Sequence, residues 1–162
     1  MTRRPKLIVF DLDYTLWPFW VDTHVDPPFR KLSNGSVCDS SGRKIEGYPA
    51  VQEILESLVN EGIPLAVASR TWWPEGARQL LNLLEWEKYF TYQEIYPGSK
   101  LTHFKKFAEM CGISYSQMLF FDDEQRNIHE ISKLGVTCVF LPNGLTCNAL
   151  EEGFQQFERK NL

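Results

Sequence analysis

The feature that most constrains the fold of this 162-residue sequence is a regular alternation of short apolar runs with longer amphipathic stretches. The apolar runs have the length of β-strands, and each later run follows a segment whose apolar residues recur at helical spacing. Such alternation predicts an α/β fold, a doubly wound and mainly parallel sheet with helices on both faces. The predicted strands are Leu7 to Phe10, Leu65 to Ala68, about Tyr92 to Tyr96, Met118 to Phe121 and Thr137 to Leu141.

The helical stretches lie between these runs. In the first, the residues Val51, Ile54, Leu55, Leu58 and Val59 recur at helical spacing, and the pattern stops at Gly62, which suits a left-handed C-terminal cap. The other predicted helices are Glu75 to Leu84, Leu101 to Cys111, Asn127 to Leu134 and about Asn148 to Phe157.

One connection is unusually long. The segment from residue 14 to residue 48 contains Pro18, Pro27, Pro28 and two turn signals, and loops of this length in a compact domain are usually functional or disordered. Within it, residues 36–38 and 43–45 are expected to pair as a hairpin. We therefore predict a single domain over residues 1–162, in which residues 14–48 form a flap insertion and no large cap is present.

Charge and composition exclude several classes of function. The net charge is −4, which argues against nucleic-acid binding, and Asp11 and Asp13 interrupt the first apolar run before it reaches membrane-spanning length. The four cysteines have no C-x-x-C spacing, so neither a zinc ribbon nor a disulfide framework is indicated. We expect a cytoplasmic monomer that binds neither nucleic acid nor membranes.

Polar residues stand where the predicted strands end. Asp11, Asp13 and Thr15 follow the first strand in the string VFDLDYT. Because the carboxyl ends of parallel strands line one crevice, polar residues after several strands can converge there. The later strand ends carry Ser69, then Lys100, then the pair Asp122 and Asp123 followed by Asn127.

This series, D-x-D-x-T, then Ser, then Lys, then D-D-x-x-x-N, resembles the haloacid dehalogenase (HAD) superfamily of phosphohydrolases. The likeness covers nearly the whole chain. Within the superfamily, the chain is closely similar to the eukaryotic magnesium-dependent phosphatase family, a branch in which a short flap replaces the larger cap domains. The resemblance implies a Rossmann-like sheet of order 3-2-1-4-5. It also implies a phosphatase that requires Mg²⁺ and forms an aspartyl-phosphate intermediate.

The resemblance and the chemistry together assign roles to these residues. Asp11 is the predicted nucleophile, Asp13 the general acid and base, and Lys100 the balancing cation. Mg²⁺ prefers oxygen ligands, which Asp11, the backbone carbonyl of Asp13 and Asp123 can supply. Asp122 and Asn127 are expected to support these ligands from behind. The predicted substrate-binding residues are Leu12, Asp13, Thr15, Ser69, Arg70 and Lys100.

Other side chains have two open interpretations. Arg70 either contacts phosphate or is a solvated surface arginine. The aromatic residues Trp17, Phe19, Trp20, Trp72 and Trp73 either form a stacking wall for a substrate or pack in the core and flap. His24, His103 and His129 form no ligand pattern, and we assign them no catalytic role.

Two other functions use similar residues. A receiver-like signalling domain also carries a phosphorylated Asp. Receivers have the acidic pair after the first strand and the phosphorylated Asp after the third, whereas here D-x-D opens the series and the pair Asp122 and Asp123 closes it. A catalytically inactive binding module is the second alternative, although every motif position holds a competent residue. The substrate stays open between phosphotyrosine in proteins and phosphorylated sugars or glycated amines, both of which the resemblance implies.

Overall fold

A five-stranded parallel sheet covered by helices forms the body of the computed structural model, which describes residues 3–162. In chain order the strands are β1 (Leu7–Phe10), β2 (Arg30–Lys31), β3 (Val37–Cys38), β4 (Lys44–Ile45), β5 (Leu65–Ser69), β6 (Phe90–Ile95), β7 (Met118–Asp122) and β8 (Thr137–Phe140). The helices are α1 (Val51–Asn60), α2 (Pro74–Leu83), α3 (Lys100–Cys111), α4 (Gln125–Ser132) and α5 (Cys147–Lys160).

The large sheet has the order β6-β5-β1-β7-β8, so the first strand is central. This is the predicted order 3-2-1-4-5, and the predicted α/β architecture is confirmed. β1 pairs in parallel with β5 on one side and with β7 on the other. All four residues of β1 are buried, as expected for a strand with helices on both faces.

Two apolar clusters occupy the two faces of the sheet. Ile8 and Phe10 point into the larger cluster, which also contains residues of α1, α2, α5 and the flap. Leu7 and Val9 point the other way, towards the phenylalanines of α3 and Ile131 of α4. The side chains of β1 thus alternate between the two faces of the sheet, and each face packs against its own layer of helices.

The flap is a three-stranded antiparallel sheet of order β2-β3-β4. The predicted hairpin corresponds to β3 and β4, in which Val37 pairs with Ile45. The buried carboxylate of Asp39 holds the flap turn, because it accepts hydrogen bonds from the backbone N–H groups of Asp26, Ser41 and Arg43. The flap packs onto the larger apolar cluster through Phe29, Val37 and Ile45.

Several boundaries differ from those predicted. The third strand of the large sheet begins at Phe90 rather than Tyr92, and α4 begins at Gln125 rather than Asn127. α5 extends to Lys160, because its charged last turn continues the helix after the apolar pattern has ended. Within residues 3–162, none of the helices has the length and apolar character needed to cross a membrane.

Candidate active site

Most of the predicted polar residues meet at the carboxyl ends of β1, β5 and β7, where they line an open cleft of about 270 Å³. Asp11 and Asp13 enter the cleft from the turn after β1, and Ser69 ends β5. Asp123 follows β7, and Lys100 begins α3. The sheet topology therefore brings residues that are far apart in sequence to one crevice.

Asp11 is held on both carboxylate oxygens. Oδ1 accepts a hydrogen bond from Lys100 Nζ at 2.8 Å, and Oδ2 accepts one from the Thr15 hydroxyl at 3.0 Å. The residue is 7% exposed, so water reaches it only from the cleft. The Asp11 carboxylate is therefore oriented before a substrate binds, and a substrate can approach it only through the cleft.

Lys100 is fully buried and contacts two carboxylates, with Nζ 2.8 Å from Asp11 and 2.7 Å from Asp122. Burial alone would lower the pKa of Lys100, but the charges of Asp11 and Asp122 outweigh burial and raise it. Lys100 is therefore a fixed cation beside the Asp11 carboxylate.

The acidic residues form a donor set for a cation. One carboxylate oxygen from each of Asp11, Asp122 and Asp123 lies within 4.8 Å of the others. Burial, together with the hydrogen bond and charge of Asp11, raises the pKa of Asp123 to about 9. The crowded carboxylates thus retain a proton near neutral pH, and a divalent cation would replace that proton. This hard-oxygen set fits Mg²⁺.

Whereas Asp123 lines the cleft, both carboxylate oxygens of Asp122 accept hydrogen bonds from other groups of the protein. Oδ1 accepts from the backbone N–H of Glu124 at 2.9 Å, and Oδ2 accepts from Lys100 Nζ and from Asn127 Nδ2 at 3.0 Å. Asn127 also accepts from Arg70 through its Oδ1 at 3.0 Å. Asp122 and Asn127 therefore form a buried link between Lys100 and Arg70.

Asp13 is held by the base of the flap. Its Oδ1 accepts from Trp17 Nε1 at 2.8 Å and from the backbone N–H of Val21 at 3.2 Å. Burial, and then the charge of Asp11, raise the pKa of Asp13 to about 7. A carboxyl group with this pKa can both give and take a proton near neutral pH.

Ser69 is oriented by the loop that follows it. Its Oγ accepts from the backbone N–H of Thr71 at 3.2 Å, which leaves the hydroxyl hydrogen available to donate into the cleft. Arg70 also lines the cleft beside it. Leu12 and Thr15, also predicted to bind substrate, are fully buried and are not among the residues that line the cleft.

The aromatic candidates separate into two groups. Trp17 is fully buried and stacks on Phe19 with ring centroids 5.4 Å apart, so both belong to the core. Trp73 packs against Phe29 in the same region. Trp20 and Trp72 instead line the cleft and are 48% and 81% exposed, so they alone of the five can contact a substrate there.

Sequence reasoning missed several residues around the cleft. Asp22, Thr71, Glu124 and Arg126 also line it. His103 is fully buried, and its Nε2 lies 2.8 Å from the carbonyl oxygen of Ser69. No local motif marks these residues, and only the position of His103 one turn after Lys100 pointed towards the site.

Comparisons with known proteins agree with this geometry. Residues 3–160 match the Acid Phosphatase family. The chain is 56% identical to human Magnesium-dependent phosphatase 1 over 159 residues, which is 98% of this chain and 90% of the human protein. It is also 46% identical over 144 residues to a HAD-like hydrolase superfamily protein of Schizosaccharomyces pombe, covering 82% of this chain and 83% of the relative.

A crystal structure of a HAD-superfamily hydrolase from Ehrlichia chaffeensis shares the fold, with a TM-score of 0.68 at 10% identity and full coverage of both chains. The predicted resemblance is therefore confirmed by sequence and by fold. The family match spans nearly every described residue, and most of the motif residues line one cleft. The chain belongs to the Acid Phosphatase family, within the HAD superfamily of hydrolases.

Proposed function

We propose that this phosphatase hydrolyses phosphate monoesters in two steps, through an aspartyl-phosphate formed on Asp11. The observation that carries the proposal is the setting of the Asp11 carboxylate, which Lys100 and Thr15 anchor at 2.8 and 3.0 Å in a cleft open to substrate. A carboxylate fixed in this way is a competent nucleophile, and covalent catalysis divides a difficult hydrolysis into two easier steps.

The enzyme is a magnesium-dependent phosphatase, in agreement with the name of its human relative and with the cluster of acidic oxygens in the cleft. We propose that Asp11, Asp123 and the backbone carbonyl of Asp13 hold the ion. When bound, Mg²⁺ offsets the repulsion between a carboxylate nucleophile and a phosphate dianion. Asp122 and Asn127 keep the acidic loop and Lys100 in place behind the ligands.

In the first step, an oxygen of Asp11 attacks phosphorus, and the bond between phosphorus and the ester oxygen breaks. Asp13, with a pKa of about 7, donates its proton to the leaving oxygen. Ser69 and Arg70 bind the phosphoryl oxygens, and Lys100 balances the negative charge.

In the second step, Asp13 has become a carboxylate and takes a proton from water. The water oxygen bonds to phosphorus, the bond to Asp11 breaks, and inorganic phosphate leaves. The same side chain therefore serves both steps, and its hydrogen bonds from Trp17 and Val21 keep it in position.

We propose two substrate classes: phosphotyrosine displayed by proteins, and phosphorylated sugars or glycated amines. The flap is small and the cleft stays open, which admits a phosphate on a protein surface. An open cleft also makes few contacts with a small substrate, so broad and modest activity is expected. Trp72 and Arg70 beside Ser69 favour planar or hydroxyl-rich leaving groups.

We further propose that the protein acts as a cytoplasmic monomer with a single domain and a flap at residues 14–48. All four cysteines, Cys38, Cys111, Cys138 and Cys147, are free thiols, as is usual in a reducing compartment.

A substrate panel tests the proposal. Purified protein and Asp11→Asn should be compared on a folded phosphotyrosyl protein, its short phosphopeptide and a sugar phosphate, with Mg²⁺ and after chelation. We expect turnover that needs both Mg²⁺ and Asp11 and that includes the folded protein. Turnover after complete chelation, or retention of more than a few per cent in Asp11→Asn, would contradict the mechanism. Exclusion of the folded protein would contradict the open site.

A further inference from the structure

The carboxylate of Asp22 joins the flap to the loop that follows Ser69. Its Oδ2 accepts hydrogen bonds from the backbone N–H of Trp72 at 3.0 Å and from the Thr71 hydroxyl at 3.3 Å. Its Oδ1 accepts from the Thr23 hydroxyl at 2.7 Å. Burial would raise the pKa of Asp22, but these hydrogen bonds together lower it, so the group is a carboxylate at neutral pH. One side chain thus connects two segments that border the cleft.

The turn that carries Asp22 is closed by its own hydrogen bonds. The Trp20 carbonyl accepts from the backbone N–H of His24 at 2.9 Å, and His24 Nδ1 accepts from the backbone N–H of Trp20 at 2.9 Å. The indole of Trp20 and the imidazole of His24 stack with centroids 4.9 Å apart and planes 10° apart. Tyr14 contacts the indole edge-on, with centroids 5.8 Å apart. Trp20 is therefore supported by aromatic neighbours while half of its surface remains exposed.

The same turn is fixed at a second point inside the site. The backbone N–H of Val21 donates to Asp13, while the neighbouring Asp22 binds Thr71 and Trp72. The turn is thus held between the residue proposed as general acid and the loop beside Ser69. Large exposed aromatic side chains within a cleft are typical of binding sites, and Trp20 and Trp72 both line this one.

We infer that Asp22 is a positioning residue that fixes Trp20 and Trp72 as walls of a subsite for flat leaving groups, such as the aryl group of an aryl phosphate. The inference rests on the proposed function, because it takes the phosphoryl group to bind at the buried Asp11 and the leaving group to extend towards the exposed rim. Asp22 would then control how well leaving groups are distinguished, while the phosphoryl group itself is bound by other residues.

The two hydrogen bonds to Oδ2 provide a matched pair of variants. Asp22→Asn keeps a carbonyl oxygen that can accept from both Trp72 and Thr71, whereas Asp22→Ala removes every acceptor. Trp20→Ala removes the proposed wall itself from an exposed position. If Asp22→Ala fails to fold, which circular dichroism would reveal, Trp20→Ala tests the same subsite.

The dissociation constants of benzylphosphonate, which is not hydrolysed, and of inorganic phosphate can be measured by calorimetry in the presence of Mg²⁺. We expect the preference for benzylphosphonate over phosphate to fall about 3- to 10-fold in Asp22→Ala and Trp20→Ala, the worth of one aromatic contact. Asp22→Asn should keep the wild-type preference, and phosphate affinity should stay within about twofold throughout.

Other results would overturn the inference. If Asp22→Ala weakened phosphate and benzylphosphonate equally, Asp22 would support phosphate binding and no leaving-group subsite. An unchanged preference in Trp20→Ala, or a loss of preference in Asp22→Asn as large as in Asp22→Ala, would also contradict it. Because this readout needs no turnover, failure of the two-step mechanism appears separately, as activity that survives in Asp11→Asn. Wild-type protein that bound neither ligand would overturn both.

Discussion

Lys100 Nζ lies 2.7 Å from Oδ2 of Asp122, and neither side chain reaches solvent. The same oxygen accepts from Asn127, and Oδ1 of Asp122 accepts from the backbone N–H of Glu124. Asp122 is therefore committed to holding Lys100 and the start of α4. Its neighbour Asp123 lines the open cleft.

This difference predicts opposite phenotypes for two adjacent alanine variants. Asp122→Ala should lower the free energy of unfolding by about 1.5–3 kcal/mol, because it removes one of the two carboxylates that compensate the buried Lys100 charge. Asp123→Ala should keep the fold but raise the Mg²⁺ concentration needed for half-maximal activity. Denaturant unfolding and Mg²⁺ titration of both variants check this. If only Asp122→Ala raised the Mg²⁺ requirement, our assignment of the two neighbours would be reversed.

The hydrogen bond from Trp17 to Asp13 predicts a shifted pH profile. Trp17→Phe keeps an aromatic ring against Phe19 but removes the Nε1 donor, which lowers the pKa of Asp13 in the wild type. The pKa of Asp13 should therefore rise, and the pH profile of kcat should move to higher pH, with a loss of about fivefold at the optimum. A uniform loss at every pH would indicate general damage to the core instead.

His103 predicts a pH dependence of stability. Burial, and then the charge of Lys100, lower its pKa, although the carbonyl groups of Ser69, Ser99 and Tyr96 favour the protonated ring. Near pH 6.5 the His103 imidazole therefore binds a proton in the unfolded chain but stays neutral in the folded protein. The contribution of His103 to stability is complete above pH 6.5 and is lost as pH falls below it, by up to about 1.4 kcal/mol per pH unit.

Asp13 and Asp123 titrate in the same region with the opposite sign, so the effect of His103 must be isolated. Gln at position 103 keeps an N–H donor for the Ser69 carbonyl but does not titrate. The difference in unfolding free energy between wild type and His103→Gln should shrink as pH falls from 7 to 5.5. A difference that stays constant with pH would show that His103 has an ordinary pKa.

Sequence reasoning reached most of the fold because the signals were local. Buried parallel strands such as β1 are continuous apolar runs, and Gly112 at a positive φ ends α3 as a glycine cap is expected to. β2 escaped prediction because its two residues, Arg30 and Lys31, are exposed and charged. They pair only because the neighbouring hairpin offers an edge.

In the site, too, some features have a local sequence signal and others depend on contacts between distant residues. The order of Asp, Ser, Lys and Asp residues at strand ends predicted which side chains would line one cleft, because parallel strands end on the same edge. The contacts that orient them are not local in sequence. Trp17, an apparent candidate for substrate stacking, is turned into the core and donates to Asp13. Its direction depends on packing against Phe19 and Trp86, which no spacing rule encodes.

Transfer of the phosphoryl group to Asp11 can be observed by trapping the phosphoenzyme. Asp13→Asn should still accept phosphate from an aryl phosphate with a good leaving group, since that oxygen needs little protonation, but should release it slowly for lack of a general base. After rapid acid quenching, peptide mass spectrometry should locate the phosphoryl group on Asp11, and Asp11→Asn/Asp13→Asn should carry none. Release of the aryl leaving group by Asp13→Asn without any phosphoryl group on Asp11, or the same label in the double variant, would contradict the account.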